Sequence, residues 1–341
     1  MATLRSDTIS GIGTEGVVLD GGLRFRSENY LTLPKGTTTQ RGRGRGVWGG
    51  GTDGNNLATI QYAELSSQGN TIDFGDLIAA NNTPSAVASA TRICFGGGRE
   101  PGIVNRIQFV EIATTSNATD FGDLTVARTF LDACSNNTRG VFGSGSTPSV
   151  NVTIDFITIA STGNAQDFGD STKTATISAA ACASPTRGIF AGGYQPSSPK
   201  FDNVIEYITI ASAGNATDFG DMTTGRFNMT PGGCSSITRG IFGGGKILSP
   251  GTVMNNIDFI TIATTGDSTD FGDLTVARQT CGACSNTLRG VFGGGNTAPS
   301  KINVIDFIEI ATTGNANEFG DMLLEQGDAA ASSDSHGGLS E

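Results

Sequence analysis

Arg239-Gly-Ile-Phe-Gly-Gly-Gly245, a loop, and then Asn255-Asn-Ile-Asp-Phe-Ile-Thr-Ile-Ala-Thr-Thr-Gly-Asp-Ser-Thr-Asp-Phe-Gly-Asp273 make up the stretch on which the fold turns. Near-copies of it run along almost the whole chain. The Arg-Gly-Val/Ile-Phe element begins at Arg45, Arg92, Arg139, Arg187, Arg239 and Arg289, spacings of 47, 47, 48, 52 and 50 residues. Its first copy ends in Trp48 and its second reads Arg92-Ile-Cys-Phe95. The Asp-Phe-Gly-Asp element begins at Asp73, Asp120, Asp167, Asp218, Asp270 and, with Glu in first place, Glu318. Each repeat divides into four strands. Strand a is a run of small residues around a cysteine, and strand b is the Arg-Gly-Val/Ile-Phe element, usually ended by Gly-Gly. Strand c is the long apolar run, and strand d the Asp-Phe-Gly-Asp element, reached through a Thr-Thr-Gly-Asn type of turn. In strand c, Ile257, Phe259, Ile260 and Ile262 point to both faces, the pattern of a sheet buried on both sides.

A period of about 50 residues with Gly-Gly after an apolar strand is similar to kelch-type propeller blades. The usual kelch Trp of strand d is replaced by Phe74, Phe121, Phe168, Phe219, Phe271 and Phe319, and the single Trp, Trp48, stands in strand b. The fold expected is all-β: a six-bladed kelch-like β-propeller over residues 41–341, preceded by a short β extension in residues 1–40. Six b–c–d sets need six a strands, but only five lie between consecutive repeats. The residues after Asp321 align without a gap on those after Asp123, which sets Ala331-Ser-Ser333 on Ala133-Cys-Ser135. Residues about 328–334 are therefore expected to pair with Arg45–Gly49 and close the ring, removing its open edge.

The totals agree with such a chain. Fifty glycines and only 16% charged residues fit short strands and tight turns, not helices. A formal charge of −11 argues against a nucleic-acid partner, which needs clustered Lys and Arg. No apolar run reaches the roughly 18 residues of a membrane span. The first residues lack the apolar core of a signal peptide, so Sec-type secretion, and glycosylation of the Asn-X-Ser/Thr matches, are not expected. Cys134, Cys182, Cys234 and Cys284 each stand five residues before the motif Arg, as small buried residues would, while Cys94 and Cys281 lie elsewhere. With His336 the sole histidine, no zinc or copper set is available, and no cofactor is called for.

Near the start, Tyr30-Leu-Thr-Leu-Pro-Lys-Gly-Thr-Thr-Thr-Gln-Arg41 resembles a short β element of virion and tail-fibre proteins of tailed phages. The wording of the repeat is also similar to virion proteins of tailed phages of marine bacteria. The resemblance implies a non-enzymatic virion structural protein, capsid- or tail-associated and assembled in the host cytoplasm. Residues 1–40 would contact other virion proteins. The ring would display loops for assembly or for adhesion to a host surface, a glycan among the partners. A free carbohydrate- or protein-binding propeller is the alternative.

Asp-Phe-Gly is also a kinase signature, but the glycine-rich loop, strand Lys and His-Arg-Asp are missing. The Asp- and Asn-rich turns lack the spacing of a calcium loop and suit ordinary turn chemistry. A sialidase-like site has Arg and Tyr available but none of the placing boxes. Arg45, Arg92, Arg139, Arg187, Arg239 and Arg289 would form a circle, either an anion-binding ring or six equal packing contacts with a neighbouring blade. The b–c loops vary most, which points to Tyr194, Gln195, Phe201, Lys246 and Lys301 as partner-contacting residues or as ordinary solvated loop residues.

Overall fold

In the computed structural model, the described residues are 44–147, 151–172, 178–195, 203–229, 232–247 and 250–339. They belong to the unit Thr39–Glu341. The other unit, Met1–Thr38, lies outside the described residues, and with it the β extension expected near Leu23–Arg26 and Tyr30–Leu33.

Strand b is short because a residue at positive φ follows it, glycine in five blades and Ser144 in blade 3. In blade 1, Arg45–Gly49 is strand b, Thr59–Glu64 strand c and Ile72–Asp76 strand d. Blade 2 runs from a to d as Ser85–Ala88, Arg92–Gly96, Arg106–Glu111 and Thr119–Asp123. Blade 3 follows with Asp132–Ser135, Arg139–Gly143, Thr153–Thr158 and Gln166–Asp170. Blade 4 is Ala180–Ala183, Arg187–Ala191, Val204–Thr209 and Thr217–Asp221. Blade 5 is Gly233–Ser235, Arg239–Gly243, Asn256–Thr261 and Thr269–Asp273. Blade 6 is Gly282–Ser285, Arg289–Gly293, Val304–Glu309 and Asn317–Asp321. Each blade is an antiparallel sheet ordered a–b–c–d, and the a strands meet one another in a closed circuit about the axis.

Strand a of blade 1 comes from the far end of the chain. Ala330–Ser333 pairs antiparallel with strand b, Gly46 opposite Ser333 and Gly49 opposite Ala330. The ring is thus a six-bladed β-propeller closed by its C-terminal strand, as the alignment of the last residues requires. Asp334 continues the seam by accepting from the Gly44 and Arg45 amides at 2.9 and 2.8 Å.

The core is divided into six wedges, each between two neighbouring blades. This is why strand c is apolar on both faces. Two close approaches build each wedge. The aromatic of strand b meets the last residue of strand b in the preceding blade: an added Cβ at Gly96 would lie 2.8 Å from Phe142, and one at Gly243 2.6 Å from Phe292. At the seam Trp48 takes this place against Gly293, its Nε1 donating to Gly282 O at 3.0 Å. Further in, strand a sends a side chain against the second residue of the next strand b. Cys134, Cys182, Cys234 and Cys284 leave no room for a Cβ at Gly188, Gly240, Gly290 and Gly46. The one blade whose strand b has a large residue there, Ile93, follows the one strand a with Ser332 at the cysteine position.

The Asp-Phe-Gly-Asp run is a β-bulge. In blade 3, Ile154 pairs with Gly169 but Asp155 with Asp167, so Phe168 is the extra residue, and all six blades repeat this shift. The bulge turns each Phe edge-on to the aromatic of its own strand c, with centroids 5.7–6.1 Å apart. The glycine after it has φ of 144–156°, and a Cβ there would collide with the c–d turn of the next blade.

Candidate functional site

The six motif arginines do form a circle, but each guanidinium lies over the aromatic ring of strand c, third from the axis, at 4.2–4.9 Å. Its Nη1 donates to the backbone of the next blade. Arg45 reaches Ile112 O at 2.8 Å, Arg139 Ile210 O at 3.0 Å, and Arg289 closes the circuit on Ser66 O at 3.3 Å. Three of the six also pair with a Glu of their own strand c, as Arg92 does with Glu111 at 2.6 Å. The circle fastens blade to blade, with the guanidinium groups turned away from the channel.

The Asp- and Asn-rich turns make a second fastening outside the first. The Asn after the turn glycine accepts from the last amide of strand d in the preceding blade, as Asn164 does from Asp123 at 3.0 Å. The circuit closes where Asn70 accepts from Asp321, and in blade 5 Asp267 takes the same role. Among the described residues no group of three or more His, Cys, Asp or Glu is placed to hold a metal ion.

A third set of contacts escaped the sequence reading. Arg128, Arg226 and Arg278, in the d–a connections, are wholly buried and pair with Asp155, Asp258 and Asp306 of the next strand c at 2.7–2.9 Å. Arg226 also donates to Gly244 O and Asn256 O. Burial lowers the pKa of Arg128 and Arg226 from its ordinary value, and the paired Asp opposes this. Where the strand c residue is neutral, Gln61 or Gln108, the d–a position carries Gln326 or Asn81. The signal was in the sequence, as Asp-Phe-Gly-Asp-Leu-Thr-Val-Ala-Arg at both 120–128 and 270–278.

All six cysteines are free and buried. Burial pushes Cys94 up to about 12 and raises the other thiols too, so none is a ready nucleophile or ligand.

On the axis the lumen is narrow, a cavity of about 40 Å³ bordered by small residues of strand a such as Ala133, Ala181, Gly233 and Ala283. Serines of strand a tie neighbouring strands together: Ser135 Oγ donates to Ala88 O, Ser235 Oγ to Ala183 O and Ser285 Oγ to Ser235 O. The chain after Ser333 then lies across the mouth at the a–b hairpins. His336 Nε2 is 3.0 Å from Ala88 O and 3.2 Å from Ser135 Oγ, and the Gly337 amide donates to Ser235 O at 3.0 Å. The Gly338 amide points at His336 Nδ1 at 3.1 Å. Nδ1 is therefore the acceptor, and the proton sits on Nε2, toward Ala88 O. In that tautomer His336 cannot take a proton from Ser135. Burial holds the imidazole down at about 4.

The opposite face carries the b–c loops and the d–a connections. Tyr194 lies against Phe227, ring centroids 5.6 Å apart, and Phe227 is bridged through its backbone to Lys246. The structure thus brings Tyr194 and Lys246 together through an aromatic residue that the sequence reading passed over. Gln195 follows at the same junction. Lys301 is elsewhere, in the blade 6 loop, where it is bridged to Asn296 and its charge acts on Asp328. Phe201 lies outside the described residues. Comparison with known proteins finds no family model that the sequence matches and no curated protein detectably similar to it.

Proposed function

We propose that the chain is a non-enzymatic virion structural protein, tail- or capsid-associated, whose propeller displays one face for assembly contacts or adhesion to a host surface. One observation carries the display reading. The contacts between blades repeat around the ring, whereas the b–c loops and the residues at their mouth differ from blade to blade. A repeated unit satisfies the same packing each time, and recognition is placed where a rigid ring lets the sequence vary. The sole histidine serves the tail contact, which supports a reading without general acid–base chemistry. The virion part rests on the resemblance of Tyr30–Arg41, and residues 1–40 are its docking segment. Electron microscopy of purified particles tests it. A six-bladed ring about the particle, b–c loops outward, is expected, and particles without the chain would overturn the assignment. The b–c loops, unequal in length and residue type from blade to blade, favour the second reading, a free lectin-like propeller. Glycan binding by the full chain, without incorporation into particles, would select it.

A further inference from the structure

Exposed apolar side chains are confined to half of the ring. Among the described residues, the large ones all belong to blades 5, 6 and 1 or to the connections leaving them, and blades 2, 3 and 4 have none. Five of them, Val276, Leu323, Leu324, Ile72 and Ile78, stand in or just past strand d, the outermost strand, and make a band on the flank. The other two are at a–b hairpins. Leu323 N lies 3.0 Å from Thr71 Oγ1, which sets Leu323 of blade 6 beside Ile72 of blade 1. Ile72 is 53% exposed and Leu323 47%. The other blades carry Thr, Gln or Asn where Ile72 stands, and Thr, as at Thr125 and Thr275, where Ile78 and Leu323 stand. Those threonines serve the buried carboxylate of the next strand c, as Thr125 Oγ1 donates to Asp155 at 2.6 Å. Gln61 and Gln108 replace that carboxylate beside Leu323 and Ile78 and accept from their backbone amides. The hydroxyl is thus dispensable there, but nothing inside the ring calls for an exposed Ile or Leu. A contiguous apolar band on the surface marks a contact.

Charge decides what covers the band. Strand d lines it with carboxylates, Asp270 and Asp273, Glu318 and Asp321, Asp73 and Asp76, and among the described residues no ion pair engages any of them. The flank of a second ring would set the same carboxylates against these, and two convex flanks meet over a small area. Nor can a strand simply be added. The outer edge of strand d is already taken by the next blade, where Gly69 N donates to Phe319 O and Thr71 N to Asp321 O. The occupant is therefore an extended segment that binds through side chains, apolar ones on the band and cations on the carboxylates. The chain contains such a segment. Leu23-Arg-Phe-Arg26 alternates apolar and cationic residues, Tyr30-Leu-Thr-Leu33 adds apolar ones, and Lys35, Arg41 and Arg43 follow, with Glu28 the single acid between residues 22 and 43.

We propose that residues 22–43 of one copy dock on the apolar, acidic flank of blades 5, 6 and 1 of another copy, joining the two head to tail. A contact between unlike surfaces leaves a segment free at one end and a flank at the other, so copies add in series. This goes beyond the display reading above and stands without it. Its test is made in solution, so particles that lack the chain would overturn that reading and leave this one intact.

The test is sedimentation equilibrium of the full chain over a range of concentration and salt, with two variants. Ile72→Thr with Leu323→Thr gives the flank the residue type of other blades and leaves the segment intact. Arg24→Glu with Arg26→Glu reverses charge in the segment and leaves the flank intact. The parent should self-associate, and more weakly as salt rises, because the contact joins opposite charges. Each variant alone should associate about tenfold more weakly or worse. The flank variant should melt with the parent, since its changed side chains are exposed. Mixed in equal amounts, the two variants should form dimers and nothing larger, one supplying the segment and the other the flank. Leu288→Thr, at an exposed apolar residue off the band, should associate as the parent does. A monomeric parent, or variants that associate like the parent, would overturn the proposal. Association that strengthens with salt and is not restored by mixing would assign the band to a second ring's flank and overturn the segment as its occupant.

Discussion

Arginine has two structural roles in this ring, and they are energetically distinct. The motif arginines, half-buried except for the buried Arg45, stack on an aromatic while reaching a carbonyl of the next blade, contacts worth about 0.5–2 and 0.5–1.5 kcal/mol. Replacing Arg187 with Ala should therefore cost about 1–3 kcal/mol in denaturant unfolding, with Arg187→Lys recovering only part because it lacks the planar fork. The buried Arg–Asp pairs are different. Arg226→Ala would strand Asp258 in the wedge and cost about 3–5 kcal/mol, whereas Arg226→Gln with Asp258→Gln should recover most of that. The chain holds its own precedent in the neutral residues Gln326 and Gln61 at the equivalent positions. Equilibrium unfolding of the single and double variants measures this. The motif arginine was legible as a packing residue because it recurs in every blade. The buried arginines were not, because they occur in only some connections and their partners lie 27–32 residues on.

At the scale of the strand, glycine marks where two blades touch. Gly188→Ala puts a methyl group 2.5 Å from Cys134 Sγ and should cost about 1–3 kcal/mol. Cys134→Ala in the same chain should return much of it, giving a favourable coupling in a double-mutant cycle. Additive effects would mean that the sulfur does not set the spacing. Ile93 with Ser332 is the arrangement the chain already uses to solve the same problem. Strand order, and even the pairing of the last strand, could be read from the alignment of repeats, since each blade repeats the same hydrophobic pattern. The bulge in strand d could not. It depends on how two strands register, and the Phe that it turns inward looks the same in sequence whether the strand is regular or bulged.

For the whole molecule, closure concentrates stability at one seam. Truncation after Asp321 removes strand a of blade 1 and exposes Val47 and Trp48, so the ring should lose most of its cooperative unfolding transition. A truncated chain that melts like the full one would refute closure as the stabilising feature. The tail beyond the strand adds a pH dependence. His336 has an ordinary value of 6.5 when free and about 4 in place, so docking favours the neutral ring. That contribution is complete above pH 6.5 and is lost as pH falls toward 4. The titratable groups near it are Asp334 on its own segment and the thiols Cys134, Cys182, Cys234 and Cys284 that line the lumen with it, which burial keeps protonated. Protection factors at Gly337 and Gly338, taken relative to the intrinsic exchange rate at each pH, should therefore fall below pH 6.5, and His336→Gln should flatten the profile. The six-bladed ring was legible in the sequence because its period is long and regular. The left-handed residues that precede strand a in every blade, Thr83, Phe130, Ser178, Asn228, Thr280 and Asp328, were not, because they share a backbone conformation and not a residue type.

The pairing of Gly49 with Ala330 also fixes when the molecule can finish folding. Strand b of blade 1 is among the first parts of the ring to leave the ribosome, and its inner partner is among the last. At about 5–20 residues per second, the intervening chain takes roughly 15–60 seconds to make. Blades 2 to 6 each carry their four strands within one continuous stretch and are complete in turn as they emerge. Blade 1 meanwhile waits with an open, apolar inner edge. The nascent ring is thus most exposed to mispairing at its first blade, and emergence of its last strand ends that exposure.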